Sequence, residues 1–93
     1  MTPNQSEISQ DVTVINELGM HARSAAQIAE IAREASASVW LQRDNERVDA
    51  RSIIDILTLA CEKGSTLTIV IEDPADLNTL NRIVSLVQDG FGE

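Results

Sequence analysis

The spacing of apolar side chains switches repeatedly between every second residue and about every 3.6 residues, and the order of those switches restricts the fold more than any other feature of the sequence. The clearest strand signal lies near the middle of the second half, where Leu67, Ile69 and Ile71 alternate with Thr66, Thr68 and Val70. A shorter alternation, Val12-Thr13-Val14, is lengthened by Ile15 and then broken by Asn16-Glu17-Leu18-Gly19. From Ala22 the spacing becomes helical: Ala25, Ile28, Ala29, Ala32 and Ala35 share one side, while Gln27, Glu30, Arg33 and Glu34 supply the polar side. Val39-Trp40-Leu41-Gln42 returns to a strand, with Trp40 on the opposite face to Val39 and Leu41. Asp44-Asn45 suits a hairpin tip because both residues tolerate left-handed backbone, and a short return strand runs through Val48.

Ser52 is a good N-cap for a second helix, which Lys63-Gly64 is expected to end. Asp73-Pro74 opens a third helix, with Asp as cap and Pro at the first position. Asp76 adds negative charge to its first turn. Leu77, Leu80, Val84 and Val87 form its expected buried stripe, and Gly90 ends it. The order strand, helix, strand, strand, helix, strand, helix defines an α+β sandwich with helices on one face of a sheet. Strand order does not follow from pattern alone. Residues 1–10 are polar and lack the charged start and apolar run of a secretory signal. They read as a flexible N-terminal leader, and 11–93 as a single domain.

With 93 residues, 43% of them hydrophobic, the chain has enough apolar material for one small core without metals or staples. Its one Cys excludes an internal disulfide framework and fits a reducing compartment. No apolar run approaches the ~20 residues of a membrane helix, so a cytoplasmic location without membrane insertion is expected. A net charge of −8 disfavours nucleic acid as a partner, although one local basic spot still suffices for one phosphate. The absence of Tyr and the single His and Cys remove most catalytic machinery and exclude a His- or Cys-rich metal site. No Gly-rich phosphate loop is present, and no metal or other cofactor is expected.

His21 stands out by position. It falls where the first helix begins, just after Gly19-Met20, where Ser, Thr, Asp or Asn is usual. A local rule broken at a helix end marks a place to look for function. The free N–H groups of that first turn and the helix dipole form an anion site. Arg23 adds a guanidinium whose fork suits phosphate, and an imidazole is a competent nucleophile near neutral pH. The residues alone leave two readings open: a phosphoryl acceptor, or a polar residue that closes a helix.

The second helix carries a separate clue. Ile53, Ile54, Ile56, Leu57 and Leu59 spread over about 220° of the helical wheel, wider than the ~100° stripe that a core requires. Ile56 and Leu59 fit one edge, and Ile53, Ile54 and Leu57 the other. Either the third helix buries the whole arc or an apolar patch stays open for docking. Ser52 is a structural cap first, yet a phosphate there would place charge beside that patch and act as a switch. Cys61 is expected to be inert near the helix end, and Trp40 to serve packing or surface cover.

Two segments, Leu18-Gly19-Met20-His21-Ala22-Arg23-Ser24-Ala25-Ala26 and Arg51-Ser52-Ile53-Ile54-Asp55-Ile56-Leu57-Thr58-Leu59-Ala60, resemble the active-site segment and regulatory-serine helix of the HPr family of the bacterial phosphotransferase system. The likeness covers about residues 11 to 90, and the distance between His21 and Ser52 agrees with it. It implies an open-faced βαββαβα sandwich: a four-stranded antiparallel sheet, order 1-4-2-3, with three helices on one face. It implies that His21 Nδ1 receives phosphate from phosphorylated enzyme I, itself charged by phosphoenolpyruvate, and passes it to enzyme IIA domains. Ala22 and Arg23 would bind the phosphoryl group, with Arg23 steadying it in both transfers. Met20, Ile53, Ile54 and Leu57 would form the docking patch. Ser52 would be the target of an HPr kinase/phosphorylase, its phosphorylation weakening docking to enzyme I.

This chain departs from the family pattern in three places. Ser24 replaces the usual Pro after the active-site Arg, which is expected to loosen the site without destroying it. Glu30 and Asp55 stand where the family often has basic residues, so partners that read positive charge are expected to bind less well. Asp44-Asn45 replaces the common Asn-Gly tip. Three functions follow: a sugar-transport phosphocarrier, a regulatory HPr-like protein of the nitrogen-related branch, and an interaction module that uses the Ser52 helix and never phosphorylates His21. The intact His-Ala-Arg segment disfavours the third. A stand-alone enzyme is least expected, since no second acid or base accompanies His21. A monomer suits a carrier that shows one patch to several partners.

Overall fold

In the computed structural model, which describes residues 7–93, the changes of apolar period become discrete elements. These are β1 (Ile8–Thr13), α1 (Ala22–Ala32), β2 (Val39–Arg43), β3 (Glu46–Asp49), α2 (Ile53–Thr58), β4 (Thr66–Ile71) and α3 (Leu77–Gln88). The sheet order is β1-β4-β2-β3, every pair antiparallel. The strongly alternating β4 is central, where a strand needs one fully apolar face. Its register sets Val12 opposite Leu67, Leu41 opposite Ile69 and Val39 opposite Ile71, so the inward side chains form rows across three strands. Ala25, Ile28, Ala29 and Ala32 of α1 and Leu80, Ile83, Val84 and Val87 of α3 close over that face. On the outer face Trp40 lies opposite Val70, which is buried, and the indole N–H donates to the Glu72 carboxylate at 2.8 Å. Trp40 is the surface cover its position suggested.

Several boundaries differ from the sequence reading. Strand β1 starts at Ile8, inside the stretch assigned to the leader; residues 1–6 lie outside the described residues. Ser9, Gln10 and Asp11 are exposed, so the backbone pairing that draws them into the sheet leaves no apolar alternation to read. Helix α2 stops at Thr58 rather than near Lys63-Gly64. Ala60 takes the left-handed φ of 51° after it, and the Arg43 guanidinium donates to the carbonyls of Leu59 and Ala60 at 2.9 and 2.7 Å. The helix end is therefore satisfied by a strand residue distant in sequence. Asp73 caps a short 3₁₀ turn, Pro74–Asp76, its carboxylate accepting from Ala75 N–H at 2.9 Å, and α3 begins only afterwards. Leu77 is 46% exposed instead of buried. Ile83, outside the expected stripe, widens the buried arc on the side away from Leu77.

Asp76 does place its negative charge in the first turn, and it is also a buried clamp. Its two carboxylate oxygens accept from Ser36 N–H at 2.8 Å and Ala37 N–H at 3.0 Å, tying the α1–β2 connection to α3. The bond from Ser36, helped by Ala37 and the Arg51 charge and opposed by burial, holds the carboxyl below the usual carboxylate range. An Asp76→Ala variant should lose about 2–3 kcal/mol, since it deletes two charge-assisted bonds and orphans two donors. Because the folded-state pKa is depressed, this stabilisation is complete above the ordinary carboxyl value of about 4 and disappears as pH falls through the lower folded value. Urea unfolding at neutral and acid pH checks both: the gap between parent and variant should narrow on acidification.

Candidate functional site

The site is built where β1 hands over to α1. Gly19 takes φ 64°, its N–H donates to the Asn16 carbonyl at 3.1 Å, and Met20 N–H donates to the Cys61 carbonyl at 2.8 Å. The loop is thereby pinned to the chain that leaves α2. A Cβ on Gly19 would lie 2.6 Å from the Cys61 carbonyl oxygen, so the approach requires glycine for space as well as for conformation. This pinning brings His21 to the helix start in an extended conformation, φ −136° and ψ −179°, as N-cap of α1.

The His21 ring takes the role that a short polar cap plays elsewhere. Nδ1 accepts from Arg23 N–H at 3.3 Å, and the His21 carbonyl accepts from Ala25 N–H at 2.8 Å. The Ser24 side chain answers from inside the helix. Its fully buried hydroxyl accepts from His21 N–H at 2.9 Å and donates to the His21 carbonyl at 3.0 Å. The departure at Ser24 therefore does not leave the site loose: the hydroxyl supplies reciprocal bonds that a proline ring lacks. Ala22 and Arg23 are exposed, and no ion pair among the described residues uses Arg23. An exposed arginine in the first turn of a helix that His21 caps is a combination suited to an oxyanion.

Two site residues carried no signal in the sequence. Glu93 places Oε2 2.6 Å from His21 Nε2, and its Oε1 accepts from Asn16 Nδ2 at 3.2 Å. The same Asn16 nitrogen donates to the Gly19 carbonyl at 2.8 Å, and Asn16 is buried. The hydrogen bonds from His21 and then Asn16 hold the Glu93 carboxyl below its ordinary range. Glu93 reaches the site through a 3₁₀ turn, Gly90–Gly92, anchored by the buried Phe91. Gly90 was legible as a helix stop, but nothing local says where the chain goes next.

On α2, Ser52 is the N-cap, its hydroxyl accepting from Asp55 N–H at 3.2 Å. The apolar arc divides along the line its wheel suggested. Ile56 and Leu59 are buried, Ile53 packs partly against the core, and Ile54 and Leu57 are 76% and 36% exposed. The third helix therefore does not cover the whole arc. Met20 is half-buried against the core. Leu18, in the same loop, is exposed. Asp55 and Glu30 are both exposed, and Glu17 pairs with Lys63. Burial raises the Cys61 thiol above its ordinary range, against a smaller pull from Arg43, which keeps it protonated and unreactive. Among the described residues no acidic, His or Cys cluster has the makings of a metal site, and no helix is long and apolar enough to cross a membrane.

An open-faced βαββαβα sandwich that presents one histidine at the N-terminus of its first helix defines a class of small histidine-bearing phosphocarrier domains. Residues 8–89 match the family described as PTS HPr component phosphorylation site, and the chain belongs to this HPr family. It is 34% identical over 86 residues to phosphocarrier protein HPr of Cupriavidus necator, covering 92% of this chain and 97% of the relative. It is also 34% identical over 87 residues to phosphocarrier protein NPr of Klebsiella oxytoca, with 92% and 97% covered. The crystal structure of HPr-C-His from Thermoanaerobacter tengcongensis superposes with a TM-score of 0.83 at 30% identity, covering 92% of this chain and 97% of that one.

Proposed function

We infer that this chain accepts a phosphoryl group on His21 Nδ1 from phosphorylated enzyme I and passes it to an enzyme IIA domain. The observation that carries the reading is the bond from Arg23 N–H to Nδ1: this ring nitrogen is unprotonated and faces a helix N-terminus, whose N–H holds its lone pair until transfer. In the uptake step that lone pair attacks phosphorus. The Nδ1–P bond forms as the bond from phosphorus to the donor breaks, its electron pair remaining on the donor. Arg23 N–H, released by the ring, and Ala22 N–H then donate to phosphoryl oxygens, while the Arg23 guanidinium offsets their charge. Delivery to the acceptor runs the same displacement in reverse. Docking is assigned to Met20, Ile53, Ile54 and Leu57, apolar side chains that the core leaves wholly or partly uncovered.

Phosphorylation of Ser52 by an HPr kinase/phosphorylase would add nearly two negative charges at the start of α2, beside that patch, and weaken docking to enzyme I. A second reading, a signalling carrier of the nitrogen branch, is supported by the similarity to NPr and by the exposed Asp55 and Glu30, which favour partners with a basic rim. Sugar uptake and a cytoplasmic, monomeric carrier complete the first reading.

The test is incubation with phosphoenolpyruvate, Mg²⁺ and enzyme I, followed by intact mass. One acid-labile phosphoryl group per chain is expected; an unmodified mass alongside active enzyme I would sink the reading. In the same assay an Ile54→Glu variant, altered at a well-exposed position, should raise the KM for enzyme I about tenfold with little change in Tm. An unchanged KM would remove Ile54 from the docking patch.

A further inference from the structure

Both ring nitrogens of His21 have assigned partners, and the two assignments are consistent with one tautomer only. A backbone N–H can only donate, so Nδ1, which faces Arg23 N–H, must be the acceptor. An ionised carboxylate can only accept, so Nε2, 2.6 Å from Glu93 Oε2, must carry the proton. The Glu93 carboxylate is itself oriented. The Gly19 carbonyl can only accept, which fixes the Asn16 atom near it as the amide nitrogen. That nitrogen therefore also offers a proton to Glu93 Oε1, at 3.2 Å.

We propose that Glu93 is a positioning residue for His21: its carboxylate, oriented by Asn16, keeps the ring proton on Nε2 and so leaves Nδ1 unprotonated for phosphoryl transfer. The consequence for transfer rests on the reading of His21 as acceptor; the tautomer does not. When Nδ1 forms its bond to phosphorus, the proton stays on Nε2 and the ring gains positive charge. The Glu93 carboxylate, in contact with that N–H, offsets the charge as it develops. The depressed Glu93 carboxyl fits a group that stays ionised throughout. The arrangement has the logic of a carboxylate that sets a histidine tautomer from the nitrogen not used in the chemistry.

A Glu93→Gln exchange separates this role from mere cover. Asn16 presents only a donor, so the glutamine carbonyl turns to Asn16 and its NH₂ group faces Nε2, where it no longer accepts the ring proton. Nitrogen-15 NMR of the His21 ring, in the free protein at about pH 8.5, where an ordinary imidazole is neutral, reads the tautomer directly. The parent should show almost pure Nε2–H, and Glu93→Gln a mixture with substantial Nδ1–H. The rate of phosphoryl uptake at saturating enzyme I should fall about tenfold, with the KM for enzyme I within about twofold. A Glu17→Gln variant removes the same charge from an exposed carboxylate of the neighbouring loop and should change neither readout. An unaltered tautomer in Glu93→Gln overturns the proposal, as does an altered tautomer with an unaltered rate. If the parent takes up no phosphoryl group at all, the carrier function and the catalytic half of this proposal fall together, while the tautomer still decides whether Glu93 holds the ring.

Discussion

A His21→Ala variant will take up no phosphoryl group from phosphorylated enzyme I and will still fold. The chain has one histidine, so no second imidazole can substitute for it. The ring is partly exposed and contributes a cap bond to Arg23 N–H and a surface contact to Glu93. Loss of such a cap costs about 1 kcal/mol, and an exposed pair contributes still less. For a domain of this size that is a fall in Tm of roughly 4–8 °C. The backbone part of the cap, from the Ser24 hydroxyl to His21 N–H and carbonyl, survives the substitution. Intact mass after incubation, paired with a thermal melt, checks both halves. A phosphoryl group that still appears and resists acid would point to an oxygen ester, with Ser52 the first candidate, and would move the acceptor away from His21.

Gly19→Ala is expected to be the most damaging single-methyl addition near the site. The new Cβ would meet the Cys61 carbonyl oxygen at 2.6 Å and Glu62 Cα at 3.0 Å, and both are backbone atoms that cannot rotate away. The φ of 64° adds strain for any L side chain. Overpacking and left-handed strain each contribute on the order of 1–3 kcal/mol, for a total of roughly 2–6 kcal/mol and a fall in Tm of roughly 8 °C or more. The loop can relieve the clash only by lifting from the α2–β4 connection, which breaks the bond from Met20 N–H to Cys61 and displaces His21. Phosphoryl uptake should therefore drop even at temperatures where the variant is folded. Gly64→Ala is the control: its φ is also positive, 93°, but nothing lies within 4 Å of the added methyl group, so it carries strain without the clash. Equal losses in the two variants would show that conformation, not the close approach, makes Gly19 necessary.

The features that could be read along the chain are those whose causes lie within a few residues. The alternation at Thr66–Ile71, the cap at Ser52 and the tip at Asp44 with φ 54° rest on local backbone preference and side-chain period. The split of the α2 arc followed from helical geometry. Which edge would be covered did not, because that depends on where α1, α3 and the sheet stand. The start of β1 was missed because its first residues enter the sheet through backbone bonds alone. The end of α2 was missed because Arg43, on β2, closes it.

His21 could be singled out from its place at a helix start, and Arg23 from its spacing. Ser24 looked like a weakness when only the lost proline ring could be considered; its hydroxyl becomes a cap once the helix has formed around it. Glu93 and Asn16 lie 72 and 5 residues from His21, and neither belongs to a spacing that signals contact. The order of strands and helices, and a histidine at an anion-binding helix end, can be read along the chain because periodicity and capping act over one or two turns. What touches the far side of the imidazole, and which apolar side chains stay uncovered, are set by packing between segments far apart in the chain. The first depends on folding that brings Glu93, 72 residues away in sequence, within a hydrogen bond of His21; the second depends on how the helices pack on the sheet.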